Sequence, residues 1–193
     1  MARAGLTADR VTEAAADLAD EVGFDNVTVS ALARRFGVKD ASLYSHVKNL
    51  QDLRIRVAIL AARELADLLT AATAGRAGKD SLVAFANAWR AFAGTRPGRY
   101  QATQMALDPA VIAGSAGHQR IMATTYAHLS GYGLPEPDMT DAIRLLRSTY
   151  QGFFGIEASG GFGHARDVDA SWAKILDALD SALRQWQAAG SPD

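Results

Sequence analysis

A single glycine, Gly37, separates two short helical patterns in the stretch Val27 to Asn49, VTVSALARRFGVKDASLYSHVKN, and this restricts the fold more than any other feature. Thr28 offers a hydroxyl that accepts a free backbone N–H at a helix start. Leu32, Ala33 and Phe36 then share one face and predict a first helix that stops at Gly37. Glycine tolerates the left-handed backbone that a tight turn between helices needs, and Ala33 is small enough for the next helix to cross closely. A second helix is predicted over Lys39 to His46, with Leu43 and Val47 turned inward and Lys39, Asp40, Ser42, Tyr44, Ser45 and His46 outward. A polar outer face on the second of two crossed helices suits entry into a DNA groove. The same offsets also fit a plain helical hairpin.

Around this pair the pattern stays helical. Val11, Ala14, Ala15, Leu18, Ala19 and Val22 recur at helical spacing between a Thr7 cap and a Gly23 stop, predicting a first helix over residues 7–22. Phe24 and Val27 are expected to plug the core beside it. Asn49 caps a long helix carrying Leu53, Val57, Leu60, Ala61, Leu65, Leu68 and Leu69. After a Gly- and Ala-rich loop from Ala74 to Lys79, helices are predicted over 81–95, over 109–132 with an irregular centre near Gly114 and Gly117, over 139–159 and over 169–188. No alternation long enough for a sheet occurs. The expected fold class is all-α, with a three-helix helix-turn-helix domain over residues 1–50 and a larger helical domain over 51–193.

Charge matters by location. The chain carries 20 Lys and Arg against 21 Asp and Glu, a net charge of −1. Yet between Arg34 and Arg56 six basic residues (Arg34, Arg35, Lys39, Lys48, Arg54, Arg56) face only Asp40 and Asp52. Phosphate contact depends on this local excess, although a merely solvated basic face has the same composition. The absence of Cys removes disulfides, thiolate zinc sites and cysteine nucleophiles. The opening MARAGLTADR has no apolar export core, and no later run approaches the roughly 18 to 20 apolar residues that span a bilayer, so a cytoplasmic protein without membrane contact is expected.

The run GVKDASLYSHVKN closely resembles the end of the helix-turn-helix of the TetR family of bacterial transcriptional regulators, with Leu43, Tyr44, His46, Val47, Lys48 and Asn49 carrying the likeness. The resemblance covers about the first 60 residues and implies sequence-specific binding of double-stranded operator DNA. Groove entry would bring Lys39, Asp40, Ala41 and Ser42 to base edges, where Lys39 donates to guanine, Asp40 accepts from cytosine and the Ala41 methyl meets thymine. Asp40 equally suits a structural role at a helix N-terminus. By the resemblance Tyr44, His46 and Lys48 hold the phosphate backbone, and Thr28 and Ser30 touch phosphate or the groove edge. Lys39 and Ser45 depart from residues frequent in relatives, so no relative's target sequence transfers.

The final predicted helix is strongly apolar on one face, and the helix before it is apolar on two faces that it has to bury. Trp172, Ile175, Leu176, Leu179, Leu183 and Trp186 form one stripe; Ile143, Leu146, Tyr150, Phe153 and Phe154 form another, and Ala142, Leu145, Thr149, Gly152 and Ile156 a third. One face is assigned to the core and one to a second copy, giving a four-helix homodimer interface, with core on both sides as the alternative. The string TYQGFFGIEASGGFG resembles a C-terminal module of some TetR-like regulators in which Trp-His-Gly stands where this chain has Tyr150-Gln151-Gly152. The resemblance implies a small-molecule effector in the C-terminal domain. Trp89, Phe92, Tyr100, Met105, Met122, Tyr126, Tyr150, Phe153 and Phe154 are the candidate lining, a set that also suits plain core.

An enzyme would need a constellation, and the four His (46, 118, 128, 164) are scattered, with no HExxH or GxSxG. The expectation is therefore a non-enzymatic regulator, a repressor released from a palindromic operator by its ligand, with no cofactor and no metal. The alternative is a ligand-independent DNA-binding or protein-interaction scaffold.

Overall fold

The computed structural model of the chain describes residues 6–189, all of whose regular structure is helical. In chain order the elements are α1 (Ala8–Val22), α2 (Val29–Phe36), α3 (Asp40–Leu43), α4 (Leu50–Thr73), α5 (Gly78–Thr95), α6 (Pro97–Thr103), α7 (Pro109–Gly114), α8 (Ala116–Leu129), α9 (Asp138–Ala158) and α10 (Val168–Ala189). Short 3-10 turns occupy Phe24–Asn26 and Ser130–Tyr132. The chain separates into two compact units: Met1–Asp67 with Thr95–Arg120, and Leu68–Gly94 with Ile121–Asp193.

In the first unit the helix starts and stops follow local chemistry. The Thr7 hydroxyl accepts from the Arg10 N–H at 3.2 Å to open α1, and the Thr28 hydroxyl accepts from the Ala31 N–H at 3.2 Å to open α2. Each such cap is worth about 1 kcal/mol. Gly37 takes the left-handed conformation (φ 66°, ψ 33°), and the Val38 N–H then reaches back to the Ala33 carbonyl at 3.0 Å, closing α2. At the head of α4, Asn49 Oδ1 accepts from the Asp52 N–H at 2.8 Å while the Asp52 carboxylate accepts from the Lys48 N–H at 3.0 Å, a reciprocal cap. Val11, Phe24, Leu32, Leu43, Val47 and Leu53 share one buried core. Phe24 and Val27 fill the place expected for them.

Two features depart from the expected layout. The second helix of the pair is a single turn, Asp40–Leu43, rather than a helix running to His46. Ser45 donates its hydroxyl to the Ser42 carbonyl at 2.8 Å, competing with the helical ladder, and the chain winds on as turns to Val47, whose N–H still reaches Leu43 O at 3.1 Å. The second departure is α6, which no sequence pattern announced. Pro97 supplies the fixed φ of a first helical position, and Gly98 lies backbone against backbone on α1, where a Cβ would collide with the Ala19 carbonyl group.

Arg99 follows directly. Its side chain is 5% exposed and meets three carboxylates: Asp17 at 2.8 Å, Glu64 at 3.0 Å, and Asp20, which also accepts the Arg99 backbone N–H at 2.8 Å. Burial works to lower the Arg99 pKa, and the three carboxylates override it, holding the guanidinium above its ordinary value. Gln101 Oε1 accepts from the Phe24 N–H at 2.9 Å, so α6 fastens both α1 and the loop that follows it.

The second unit is built on aromatic packing. Phe85, Trp89, Tyr150, Phe153, Phe154 and Trp172 are all buried, and Trp172 stands 4.6 Å from the Phe153 ring and 5.7 Å from those of Tyr150 and Phe154. Arg90 lies over the Phe153 and Trp172 rings at 5.3 and 5.8 Å and pairs with Glu157 and, at 2.7 Å, with Asp169. The expected helix over 109–132 breaks at Ser115 into α7 and α8.

Gly98→Ala is expected to lower stability by about 2 kcal/mol or more, roughly 4 to 8 °C in Tm, because the colliding atoms are backbone and cannot swing away. Thermal unfolding by circular dichroism checks this, and a Tm within 2 °C of wild type would contradict the close contact.

Candidate nucleic-acid interface

The start of α2, the single turn of α3 and the turns after it carry all nine residues expected to meet DNA. Thr28, Ser30, Lys39, Asp40, Ala41, Ser42, Tyr44 and Lys48 are exposed, and His46 is half-buried. Tyr44 is 53% exposed although its neighbour Leu43 is fully buried. A large aromatic held out in this way beside a buried leucine has no packing to explain it, and its hydroxyl stays available as a donor.

Ser30 and Asp40 meet each other. The Ser30 hydroxyl donates to the Asp40 carboxylate, tying the first turn of α2 to the first residue of α3. The carboxylate thereby braces the angle between the two helices.

The basic patch is thinner than its composition. Arg35 pairs with Glu21 of α1 at 2.7 Å, Arg56 pairs with Asp52 at 3.1 Å, and Arg54 donates to the Asp25 carbonyl at 2.8 Å. Arg34, Lys39 and Lys48 form no ion pair among the described residues, and all three are exposed. Asp52 is held below the usual carboxylate range, since the Lys48 N–H and Arg56 outweigh the burial that would raise it.

The candidate effector residues are brought together only in part. Trp89, Phe92, Tyr150, Phe153 and Phe154 are buried in the second unit, where Trp89 and Tyr150 meet edge to face at 6.3 Å. Met122 and Tyr126 lie in the same unit but are 51% and 44% exposed. Tyr100 and Met105 belong to the first unit, where Met105 packs on the core of the helix-turn-helix. Ser81, Phe85 and His128, absent from the candidate set, are buried in the same unit; the first two share with Trp89 a spacing of four along one face of α5. A separate open cavity of about 300 Å³ in the first unit is lined by Asp9, Thr12, Glu13, Arg56, Ile59, Leu60 and Arg63, and none of the candidate effector residues borders it. No group of three or more His, Asp or Glu among the described residues is placed to hold a metal ion.

Comparison with known proteins agrees at both ends of the chain. Residues 11–57 match the family described as bacterial regulatory proteins, tetR family, and residues 82–179 match the tetracyclin repressor-like C-terminal domain. An uncharacterized HTH-type transcriptional regulator of Mycobacterium tuberculosis is 37% identical over 186 residues, covering 94% of this chain and 84% of the relative. Among solved structures, a protein from Rhodococcus sp. RHA1 superposes with a TM-score of 0.76 at 19% identity, covering 93% of this chain and 96% of its own. The Streptomyces coelicolor TetR family protein ActR, in complex with actinorhodin, superposes with a TM-score of 0.70 at 19% identity, covering 97% and 100%.

His128 generates a pH dependence. Its Nδ1 faces the Thr124 carbonyl at 3.2 Å and its ring is 3% exposed; burial pushes its pKa down to about 4. The unfolded chain takes up a proton near pH 6.5 that the folded chain refuses, so this residue costs stability as the pH falls from about 6.5 to about 4, by roughly 3 kcal/mol in total. Urea unfolding of wild type and His128→Phe across that range is expected to show the wild type losing about that much more than the variant; parallel curves would contradict a buried neutral imidazole.

Proposed function

The chain belongs to the TetR family of bacterial transcriptional regulators, and on that premise we propose that it is a cytoplasmic homodimeric repressor, released from a palindromic operator by a small molecule. The observation that carries the reading is the braced pair α2 and α3 with its row of exposed side chains from Lys39 to Lys48. In the proposed complex α3 enters the major groove. Lys39, Ala41 and Ser42 read base edges, with Asp40 contributing through the Ser30 bond that fixes their angle. Tyr44, His46 and Lys48, with Thr28 and Ser30, hold phosphates on either side.

The proposed division of labour gives DNA contact to residues 1–50 and effector and subunit contact to residues 51–193. A palindrome demands two heads at a fixed separation, roughly 34 to 36 Å or a multiple, and a second copy supplies it. The proposed contact uses α9 and α10. On α9, Gly152 and Gly155 have nothing within 4 Å of where a Cβ would stand, and Ile156 is 45% exposed, so this face is open to a partner's helix. The buried aromatic residues of the second unit are the proposed effector site, a reading supported by ActR, whose solved structure holds actinorhodin. Effector binding would shift the population between heads spaced for the operator and heads that are not. No helix among the described residues is long and apolar enough to cross a membrane. We assign no catalytic reaction, in keeping with relatives that are transcriptional regulators.

Selection of bound DNA from a random pool is expected to return a palindrome, and failure to enrich any sequence would count against the reading. On that operator Tyr44→Ala is expected to weaken binding at least tenfold with the dimer and the fold intact, and Lys48→Ala to flatten the salt dependence by about one unit of slope. Gly152→Arg is expected to give monomers in sedimentation and to lose operator binding together with dimerisation; a dimer that persists would remove α9 from the interface.

A further inference from the structure

Within the second unit, polar atoms of four buried side chains have no hydrogen-bond partner among the described residues: Ser81 Oγ, Trp89 Nε1, His128 Nε2 and Tyr150 Oη. Their residues are 1%, 8%, 3% and 1% exposed. The same unit satisfies its comparable groups. Trp172 Nε1 donates to Asn87 Oδ1 at 2.8 Å, and the Tyr132 hydroxyl donates to Asp180 at 2.7 Å. The unpartnered four are therefore a selected subset, since buried polar groups are ordinarily paired and each one left over is costly.

They also lie together. Ser81, Phe85 and Trp89 follow one another at steps of four along α5. Phe85 stacks on His128 with centroids 4.0 Å apart and planes 6° from parallel, Phe85 meets Trp89 edge-on at 5.6 Å, and Trp89 meets Tyr150 at 6.3 Å. The result is a continuous aromatic row studded with unused hydrogen-bonding atoms. Phe85 and His128 are in contact, which leaves no room for a ligand between these two rings.

We propose that this row, Ser81, Phe85, Trp89, His128 and Tyr150, binds an uncharged aromatic effector that carries both a hydrogen-bond donor and an acceptor, the phenol class; the proposal rests on the ligand-responsive reading above. Trp89 Nε1–H only donates, so the ligand must bring an acceptor. His128 commits its Nδ1–H to the Thr124 carbonyl, which leaves Nε2 as an acceptor and requires a donor from the ligand. Tyr150 and Ser81 hydroxyls serve either way, and burial keeps the Tyr150 phenol protonated by raising its pKa. Ionic ligands are disfavoured because no side chain of the row is an acid or a permanent cation and three basic side chains of the unit are already paired. Arg90 is bound by Glu157 and Asp169, Lys79 by Asp177, and Arg184 by Asp180. A charged ligand would lose its hydration with no counter-charge to receive it.

Four probes of one shape test the class: 2-naphthol, naphthalene, 2-naphthoate and 2-naphthylmethylammonium, titrated by calorimetry into the full chain. The expected result is that 2-naphthol binds at least about tenfold tighter than either ion, and that Tyr150→Phe and Trp89→Phe each weaken it about fivefold or more with little change for naphthalene. Thermal melts of the free protein run beside this. Tyr150→Phe is expected to keep or raise the wild-type Tm, because its hydroxyl has no partner to lose. Binding of an ion as tight as that of 2-naphthol, variants that bind 2-naphthol like wild type, no binding of any probe, or a Tyr150→Phe melt lowered by more than about 4 °C would each overturn the proposal. None of these outcomes bears on operator selection, which judges the regulator reading separately; a chain that binds 2-naphthol yet selects no operator keeps the site and loses the regulator.

Discussion

The cluster of Arg99 with Asp17, Asp20 and Glu64 is the constraint on which the DNA-facing unit depends. A guanidinium placed out of water is tolerable only when its donors are matched, and here carboxylates from α1 and α4 surround it. Taking away Asp20, the most buried of the three carboxylates, would leave the guanidinium with only its two more exposed partners. The geometry that permits it comes from Gly98, which lets the first turn of α6 rest on the backbone of α1. With α1 held, Phe24 is fixed by Gln101, and α2 and α3 have a rigid floor on which to set their angle.

The basic run near the turn divides into charges paired within the chain and charges left exposed. Arg35, Arg54 and Arg56 are engaged by Glu21, the Asp25 carbonyl and Asp52, so half of the basic run near the turn already has a partner within the chain. Arg34, Lys39 and Lys48 keep their charge facing solvent. A chain of near-zero net charge can thus present a small positive surface at one place, which is where phosphate attraction acts.

Much of this was legible in the residues because the signals are local. Thr7, Thr28 and Asn49 announce helix starts through side-chain chemistry that needs no tertiary context, and Gly23 and Gly37 announce stops through backbone freedom. Leu43 and Val47 fell inward as their spacing required. What could not be read came from partners far away in sequence. Arg99 lies more than 75 residues from Asp17 and Asp20, and nothing in PGRYQAT marks it as core. The shortness of α3 was hidden in the Ser42 and Ser45 pair, whose local bond competes with helix formation. In the candidate effector set, composition picked out the large rings and passed over Ser81 and His128, small or polar residues buried in the same unit with unpartnered atoms. Tyr100 and Met105 were chosen by type, and the packing of α6 and the segment after it put them in the other unit.

The fastening of α6 onto α1 bears on how such proteins can be recombined. A reading head is often treated as a transplantable cassette, cut at the end of its last groove-facing helix. Here Ala102, Met105 and Leu107 are part of the hydrophobic interior beneath the helix-turn-helix, although they stand some fifty residues beyond it in the chain. The head is thus a discontinuous object, sewn shut by a later stitch of sequence. Shuffling it onto a foreign sensor would require carrying that stitch along, so inheritance of the two halves is coupled at the level of the fold.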